Sequence, residues 1–149
     1  MQFTEAKIGR VFVLRLHDGD HLPDALEIFA AQNKLKSALC FFIGGAKKDS
    51  RVVVGPKGDG SLPVEPALTL LSGVSEVCGV GTIFTNENGK PTLHMHASFG
   101  RGEKAITGCL RKGVDVWLIG EVIMLELTSA SVRRVIDKET GFELLETGN

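Results

Sequence analysis

The chain lacks a surplus of either charge. Its 149 residues include 17 Lys and Arg against 18 Asp and Glu, which leaves a formal net charge of −1. Binding nucleic acid by general electrostatic attraction needs a strongly basic face, because positive side chains must neutralise the phosphates. The charge balance therefore counts against a DNA-binding protein of that kind, although a local basic patch stays open.

Cysteine is scarce, and the three cysteines, at positions 40, 78 and 109, are odd in number and form no CxxC pair. This excludes a disulfide framework and favours a reducing compartment. No apolar run approaches the roughly 20 residues of a membrane span, and no basic segment precedes an apolar core as in a secretory signal. We therefore expect a cytoplasmic protein with no membrane partner.

The patterning that is present predicts one α+β domain over residues 1–149. Pro23, followed by Leu26 and Phe29 at helical spacing, predicts a single main helix near residues 22–34. The rest of the chain alternates or is rich in β-branched residues, which predicts an antiparallel β-sheet of about eight strands. The main predicted strands cover residues 10–16, 38–45, 68–71, 74–85, 91–98, 105–110, 114–128, 131–136 and 142–145, and the predicted hairpin turns cover 86–90 and 99–104.

The sharpest local feature is His94-Met95-His96 within one of these predicted strands. Side chains alternate between the two faces of a strand, so Met95 is expected to face the core while both histidines project from the opposite face. Residues two apart are separated by roughly 6.6 Å along a strand. Two imidazoles at that spacing can converge on one metal ion, because each metal–nitrogen bond is about 2.0–2.1 Å long.

The following predicted strand offers a third ligand, Cys109. A turn centred within residues 99–104 sets His94 opposite Cys109, and a register shifted by two residues sets His96 opposite Cys109. In either register the three side chains share one face, since facing residues of an antiparallel pair point the same way. Two nitrogens and one sulfur predict a divalent metal site, with zinc as the expected ion and one coordination position open.

Two carboxylates interrupt apolar segments, Glu76 and Glu121. Each is a candidate for a fourth ligand, for a hydrogen-bond partner that orients one of the metal ligands, or for a general base, and each could equally face solvent. Cys40 and Cys78 lie in apolar strands and are predicted to be small core residues. His17 and His21 are predicted to be exposed turn residues.

The basic residues form short clusters only, among them Arg111-Lys112 and Arg133-Arg134. No aromatic side chains interleave with them, so phosphate binding is weakly indicated. The segment 137–149 is mildly acidic, which is typical of a solvated end. No P-loop or dinucleotide-binding glycine motif is present.

Taken together, the motifs resemble the plants and prokaryotes conserved domain, abbreviated PPC or PCC, in its stand-alone prokaryotic form. The resemblance spans nearly the whole chain, and its most specific part is His94-Met95-His96-Ala97-Ser98 followed by Gly108-Cys109-Leu110. Other matching segments are residues 13–20, 42–46, 75–83 and 120–123. Some members look like metal binders through the HxH strand plus a histidine on the next strand. This chain has Cys109 where that histidine is expected, which implies a changed metal preference.

The resemblance implies a homotrimer whose domain mediates self-association and contacts with partners. In plant members AT-hook motifs bind DNA, and this chain has no AT-hook core. We therefore expect a metal-containing, homotrimeric binding or regulatory protein of unknown ligand. The alternatives are a DNA-associated protein, in which Arg111 and Lys112 would contact phosphates, and a metal-dependent hydrolase or lyase, with Glu76 or Glu121 as base.

Overall fold

The computed structural model describes residues 1–60, 62 and 64–148. It contains one helix, α1 (Asp24–Gln32), and eleven strands in the described part of the chain. The strands are β1 (Lys7–His17), β2 (His21–Leu22), β3 (Ser37–Ala46), β4 (Arg51–Pro56), β5 (Pro66–Leu70), β6 (Ser75–Thr85), β7 (Pro91–Arg101), β8 (Lys104–Cys109), β9 (Val114–Thr128), β10 (Val132–Ile136) and β11 (Glu143–Thr147).

Nine strands form one antiparallel sheet in the order β1-β9-β3-β6-β7-β8-β4-β5, with β2 paired to β9. The strands β10 and β11 form a separate two-stranded hairpin. This confirms the predicted α+β domain with an antiparallel sheet and one main helix. Within the described residues, no helix has the length and apolar character that a membrane crossing requires.

The helix α1 covers one face of the sheet, here called the inner face. Pro23 precedes its first residue, and Leu26 and Ala30 are fully buried. Glu27 lies in the first turn of α1 and is buried against β7. Its Oε1 accepts a hydrogen bond of 3.0 Å from the backbone N–H of Leu93, and its Oε2 lies 3.0 Å from Nζ of Lys90. The carboxylate thus joins the helix to β7.

The inner face of the sheet carries the hydrophobic core. Every second residue of the central strands points into it, as the period of two requires. The burial of large apolar side chains there is the main favourable term in folding. Core residues on the central strands are Cys40, Phe42, Val77, Ile83, Leu93, Met95, Ala97, Phe99, Val122 and Met124.

The opposite, outer face of the sheet is exposed and largely apolar. The β3 sequence is a continuous apolar run, but only alternate residues are buried: Phe42 is 1% exposed, whereas Phe41 is 42% and Ile43 is 54% exposed. The run is apolar on both faces because it lies at the centre of the sheet, and only its inner face is covered by α1 within one chain.

The prediction that Cys78 is a core residue is wrong, whereas that for Cys40 is confirmed. On β6 the inner face takes Val77 and Gly79, which leaves Cys78 on the exposed outer face between them. Cys40 is buried on the inner face, and this burial raises the pKa of its thiol to about 12. Apolar neighbours in the sequence do not distinguish the two faces of a strand.

The predicted turn at residues 99–104 is too broad. The strands β7 and β8 continue to the pair Arg101 and Lys104, so the turn itself is Gly102-Glu103. Gly102 has a φ of 60°, a conformation that glycine adopts without strain. This tight turn fixes the register in which His96 lies opposite Cys109.

Candidate metal site

The two histidines of β7 project from the outer face, as the alternation predicts. Leu93, Met95 and Ala97 are buried, whereas His94 and His96 are exposed. Their Nε2 atoms are 3.2 Å apart, and their ring planes are inclined at 78°. Residues two apart on a strand have thus turned their imidazoles toward one point.

Cys109, the last residue of β8, lies next to this pair. Backbone pairing aligns it with His96 on one side and with Val53 of β4 on the other. The preceding Gly108 permits this close approach of β4, because a Cβ at that position would lie 2.3 Å from the carbonyl oxygen of Val53. The thiol is consequently buried while the histidines stay accessible.

The donor atoms of His94, His96 and Cys109 all lie within 4.8 Å of one another. In a tetrahedral zinc site two nitrogen ligands with bonds of 2.0–2.1 Å are separated by about 3.3 Å, so the observed 3.2 Å between nitrogens matches such a site. These three residues fit a divalent ion with two nitrogen ligands and one sulfur ligand.

The surroundings favour the neutral imidazoles that metal binding requires. Burial lowers the pKa of His94, and the positive charges of Arg134 and Arg111 lower it further. The pKa of His96 is lowered by burial, by His94 and by Arg111. Each ring therefore loses its extra proton at a lower pH than a free imidazole does, which leaves nitrogen lone pairs available to an ion.

An open cleft of about 440 Å³ adjoins the two histidines. Its far wall is the hairpin of β10 and β11, which contributes Arg134, Phe142, Glu143 and Leu144. Arg111 forms part of the near wall: its Nε donates a hydrogen bond of 3.2 Å to Sγ of Cys109, and its guanidinium lies 5.1 Å from the ring centre of Phe142. A metal held by the three ligands would border this cleft.

The structure does not bring Glu76 or Glu121 to the site within one chain. Both are exposed on the outer face. Glu76 lies four residues along β6 from Val80, the partner of His96, a separation of roughly 13 Å. Glu121 belongs to β9, three strands from β7, which is roughly 14 Å across the sheet.

The remaining histidines lie elsewhere. His17 and His21 are exposed, as predicted, but they are not turn residues: His17 ends β1 and His21 begins β2. Nδ1 of His21 is 2.7 Å from a carboxylate oxygen of Asp115. Neither histidine belongs to the group of potential metal ligands that residues 1–60, 62 and 64–148 form.

Sequence reasoning missed the far wall of the cleft. The pair Arg133-Arg134 was treated as one basic cluster, but alternation in β10 sends the two side chains to opposite faces: Arg133 is exposed and Arg134 is buried. The predicted terminal strand pair was the available signal. Treating its residues as alternating would have singled out Arg134 as the inward one.

Comparisons with known proteins agree with this architecture. The family model of the Plants and Prokaryotes Conserved (PCC) domain matches residues 3–128. None of the curated proteins matches the chain.

Solved structures with a similar fold include a metal-containing protein from Archaeoglobus fulgidus, with a TM-score of 0.85, 24% identity and coverage of 98% of this chain and 99% of that one. A plant- and prokaryote-conserved protein from Pyrococcus horikoshii has a TM-score of 0.84, 22% identity and coverage of 100% and 99%. A proposed DNA-binding protein from Ralstonia eutropha has a TM-score of 0.68, 24% identity and coverage of 91% and 90%. At these identities the likeness establishes the fold.

Proposed function

This chain belongs to the Plants and Prokaryotes Conserved domain family, and on that premise we propose that it is a metal-containing, homotrimeric binding or regulatory protein. The proposal of a bound metal rests on the convergence of His94, His96 and Cys109 on one point of the outer face. The solved structure from Archaeoglobus fulgidus, named a metal-containing protein, supports the same assignment.

Zinc is the proposed ion. Two imidazole nitrogens and a thiolate are ligands that this borderline-soft ion accepts, and three protein ligands leave one coordination position for an external ligand. When bound, the ion would supply a positive, Lewis-acidic centre at the edge of the cleft. The hydrogen bond that Nε of Arg111 donates to Sγ of Cys109 supports the site because it holds the sulfur in a fixed position beside the two histidines.

The exposed outer face is the observation that supports the proposed homotrimer. Backbone pairing places Val13, Ile123, Phe41 and Val80 side by side across four adjacent strands, and His96 follows in the same row. All four apolar residues are among the exposed large hydrophobics. A contiguous apolar patch of this kind is typical of an interaction surface. We propose that second and third copies of the chain cover it, next to the metal ligands.

The location is proposed to be cytoplasmic. Cys40, Cys78 and Cys109 are all free thiols in the structure. Thiols persist in reducing compartments, whereas an oxidising one favours disulfides. Deprotonated thiol ligands are also what a zinc site needs.

The metal is tested by elemental analysis of the protein purified without added metal. We expect one zinc ion per chain, lost in His94→Ala and in Cys109→Ser. His17→Ala and Cys78→Ser are matched controls, because they remove the same kinds of side chain from exposed positions outside the cluster. Both controls should retain the metal.

Removal of the metal by a chelator should lower the midpoint of thermal unfolding, because an ion that binds only the folded state stabilises it. A metal-free protein whose midpoint is unchanged by chelator or by added zinc would exclude the proposed site. Light scattering on the same sample tests the trimer, for which the expected mass is three times that of one 16.0 kDa chain.

A DNA-associated role is the alternative, favoured by the name of the similar structure from Ralstonia eutropha. It requires that duplex DNA bind with an affinity that falls steeply with salt. The variant Arg111→Gln combined with Lys112→Gln should then abolish binding. Absence of a gel shift near 100 mM salt would remove this alternative.

A metal-dependent hydrolase or lyase is the second alternative, because an open metal position beside a cleft can activate water. The separations of Glu76 and Glu121 from the site weigh against either carboxylate as the base within one chain. A screen of the zinc-loaded protein on simple esters and phosphate esters tests this role. Turnover that is lost in His94→Ala would favour it over a binding role.

A further inference from the structure

The cleft beside the metal ligands carries two guanidinium groups that metal binding alone does not require. We propose that this cleft binds a small organic anion through a carboxylate or phosphate group, which Arg111 and Arg134 would hold beside the metal position. The inference rests on the proposed metal function for the third contact of the anion. It goes beyond that function in naming the class of ligand and the residues that select it.

Arg134 provides the stronger evidence for an anion site in the cleft. Its residue is only 4% exposed, its Nη2 donates a 3.0 Å hydrogen bond to Oγ1 of Thr82, and its guanidinium packs 5.6 Å from the ring centre of Phe84. The Nε atom is buried without a hydrogen-bond partner in the described part of the chain. A buried cation is costly unless its charge is compensated, and because Arg134 also lines the cleft, an anion bound there would compensate it.

Arg111 adds a second positive group to the same cleft. Its guanidinium is held by the sulfur of Cys109 on one side and by the ring of Phe142 on the other. The two arginines interact electrostatically: burial lowers the pKa of Arg134, and the positive charge of Arg111 lowers it further. Two like charges that line one cleft destabilise each other unless an anion is placed near both.

The cleft contains one compensating charge, Glu143, which raises the pKa of Arg134. A single carboxylate does not balance two guanidiniums and a divalent ion, even with the thiolate of Cys109 included. The site therefore retains net positive charge. Carboxylate and phosphate groups match it, since a guanidinium binds either through paired hydrogen bonds.

The remainder of the cleft indicates an organic ligand rather than an inorganic ion. Phe142 and Leu144 line the wall opposite the histidines. A volume of about 440 Å³ lies within the range of roughly 300–1,000 Å³ that is usual for small-molecule sites. An anion with a compact apolar body would contact these two side chains with its body and the arginines with its charged end.

The test is isothermal titration calorimetry on the zinc-loaded protein with three probes: benzoate, phenyl phosphate and, as the neutral analogue, benzyl alcohol. We expect one or both anions to bind and the alcohol to bind at least about tenfold more weakly. The tighter of the two anions identifies the charged group. Arg111→Gln and Arg134→Gln should each weaken that anion at least about tenfold.

Matched controls lie next to each residue in the sequence. Lys112→Gln and Arg133→Gln remove the same charge from exposed neighbours that do not line the cleft, so their affinities should equal that of the wild type. If the anion affinity falls equally in the variants and the controls, overall charge alone accounts for the loss, and the inference is overturned. If burial of residue 134 makes Arg134→Gln misfold, Arg111→Gln, at an exposed position, decides.

Zinc content is measured on every sample, which separates this inference from the metal proposal. Full zinc content with no anion binding, or with binding indifferent to both arginines, overturns the inference and leaves the metal proposal standing. If no zinc binds to the wild type, the metal proposal fails. The same titrations on metal-free protein then decide this inference: binding that depends on both arginines supports it, and its absence overturns it.

Discussion

The two faces of the main sheet are formed by the same strands but differ in burial: the inner face is covered and the outer face is exposed. On β3, Phe42 is buried beneath α1, while the adjacent Phe41 is 42% exposed on the outer face. On β7, Met95 packs into the core, while His94 and His96 converge beside Cys109. The inner face therefore supplies the hydrophobic core, and the outer face carries the candidate metal ligands.

The outer face itself changes character across the sheet. Across β1, β9, β3 and β6 it carries the apolar row of Val13, Ile123, Phe41 and Val80, and at β7 and β8 the two imidazoles and the thiol of the candidate site follow. Val80 and His96 are neighbours at the boundary. A trimer that buries the apolar strands would leave the metal ligands at its margin, within reach of small molecules.

Removal of an aromatic ring from the inner face should have the largest effect on folding. We expect Phe42→Ala to lower the free energy of unfolding by about 3–5 kcal/mol, because it leaves a cavity under α1. Phe41→Ala removes the same ring from the outer face and should cost the single chain less than about 1 kcal/mol. Urea unfolding followed by circular dichroism, at a chain concentration at which light scattering shows monomers, measures both, and equal losses would contradict the division between the faces.

The next largest effect on folding is expected at Glu27, a buried polar residue of the inner face. Glu27→Ala should lower the free energy of unfolding by about 1–3 kcal/mol, because the backbone N–H of Leu93 is left without its acceptor in a buried place. Glu27→Gln keeps an acceptor oxygen and should recover part of the loss. Lys90→Met, which removes only the exposed partner of the ion pair, should cost less than Glu27→Ala. The same urea titration ranks the three variants.

Much of the fold follows from local pattern, because alternation and helical spacing are properties of neighbouring residues. The helix was predicted near residues 22–34 and spans Asp24–Gln32, and the antiparallel pairing of β6, β7 and β8 follows from short turns. Which side of a strand α1 would cover is not a local property. For that reason the prediction failed for Cys78, although the strand itself was correct.

The ligands of the candidate site could be named from the sequence because all three lie on one hairpin. The sequence alone allows Cys109 to lie opposite either His94 or His96, and the turn Gly102-Glu103 selects His96. The arginine and aromatic wall could not be assigned, because Arg134 and Phe142 come from a hairpin far along the chain, which packs against β6 and faces the histidines across the cleft. Such long-range packing depends on the whole structure.

A smaller effect is expected at the edge of the inner face, where β1 meets β9. Nε and Nη2 of Arg10 bind the two carboxylate oxygens of Glu126 at 2.7 and 2.9 Å. These hydrogen bonds lower the pKa of Glu126 from 4.5 to about 2. The folded state thus favours the ionised carboxylate, which stabilises the protein above the unfolded pKa and ceases to do so as the pH falls through 2.

We expect Glu126→Gln to cost less than about 1 kcal/mol at pH 7, since pairs near the surface are screened by solvent. The cost should shrink as the pH is lowered from about 4.5 toward 2, where the wild-type carboxylate also becomes neutral. Thermal unfolding across this pH range measures it. Glu103→Gln, in the turn between β7 and β8, controls for loss of charge. A cost that is constant with pH would contradict the electrostatic origin.

The smallest effect on folding and the clearest on assembly are expected from one charge on the outer face. Phe41→Glu should change the unfolding free energy of the single chain by no more than about 0.5 kcal/mol, because the site is exposed. It should nevertheless convert a trimer into monomers, since a carboxylate buried at an apolar interface has no partner. Light scattering measures the mass. Val54→Glu is the control, which should leave the trimer intact. It places the same charge at a residue that is 42% exposed, as Phe41 is, but that lies away from the apolar row.

The thiols report on the same surface. In the Phe41→Glu monomer the exposed Cys78 should react rapidly with a thiol reagent at pH 8, and in the trimer it should react more slowly, because it lies beside Ile43 on the outer face. Cys40 should stay unreactive in both, since burial raises its thiol pKa to about 12. A trimer that survives Phe41→Glu with Cys78 equally reactive would show that copies associate elsewhere, and the apolar strands would then need another partner.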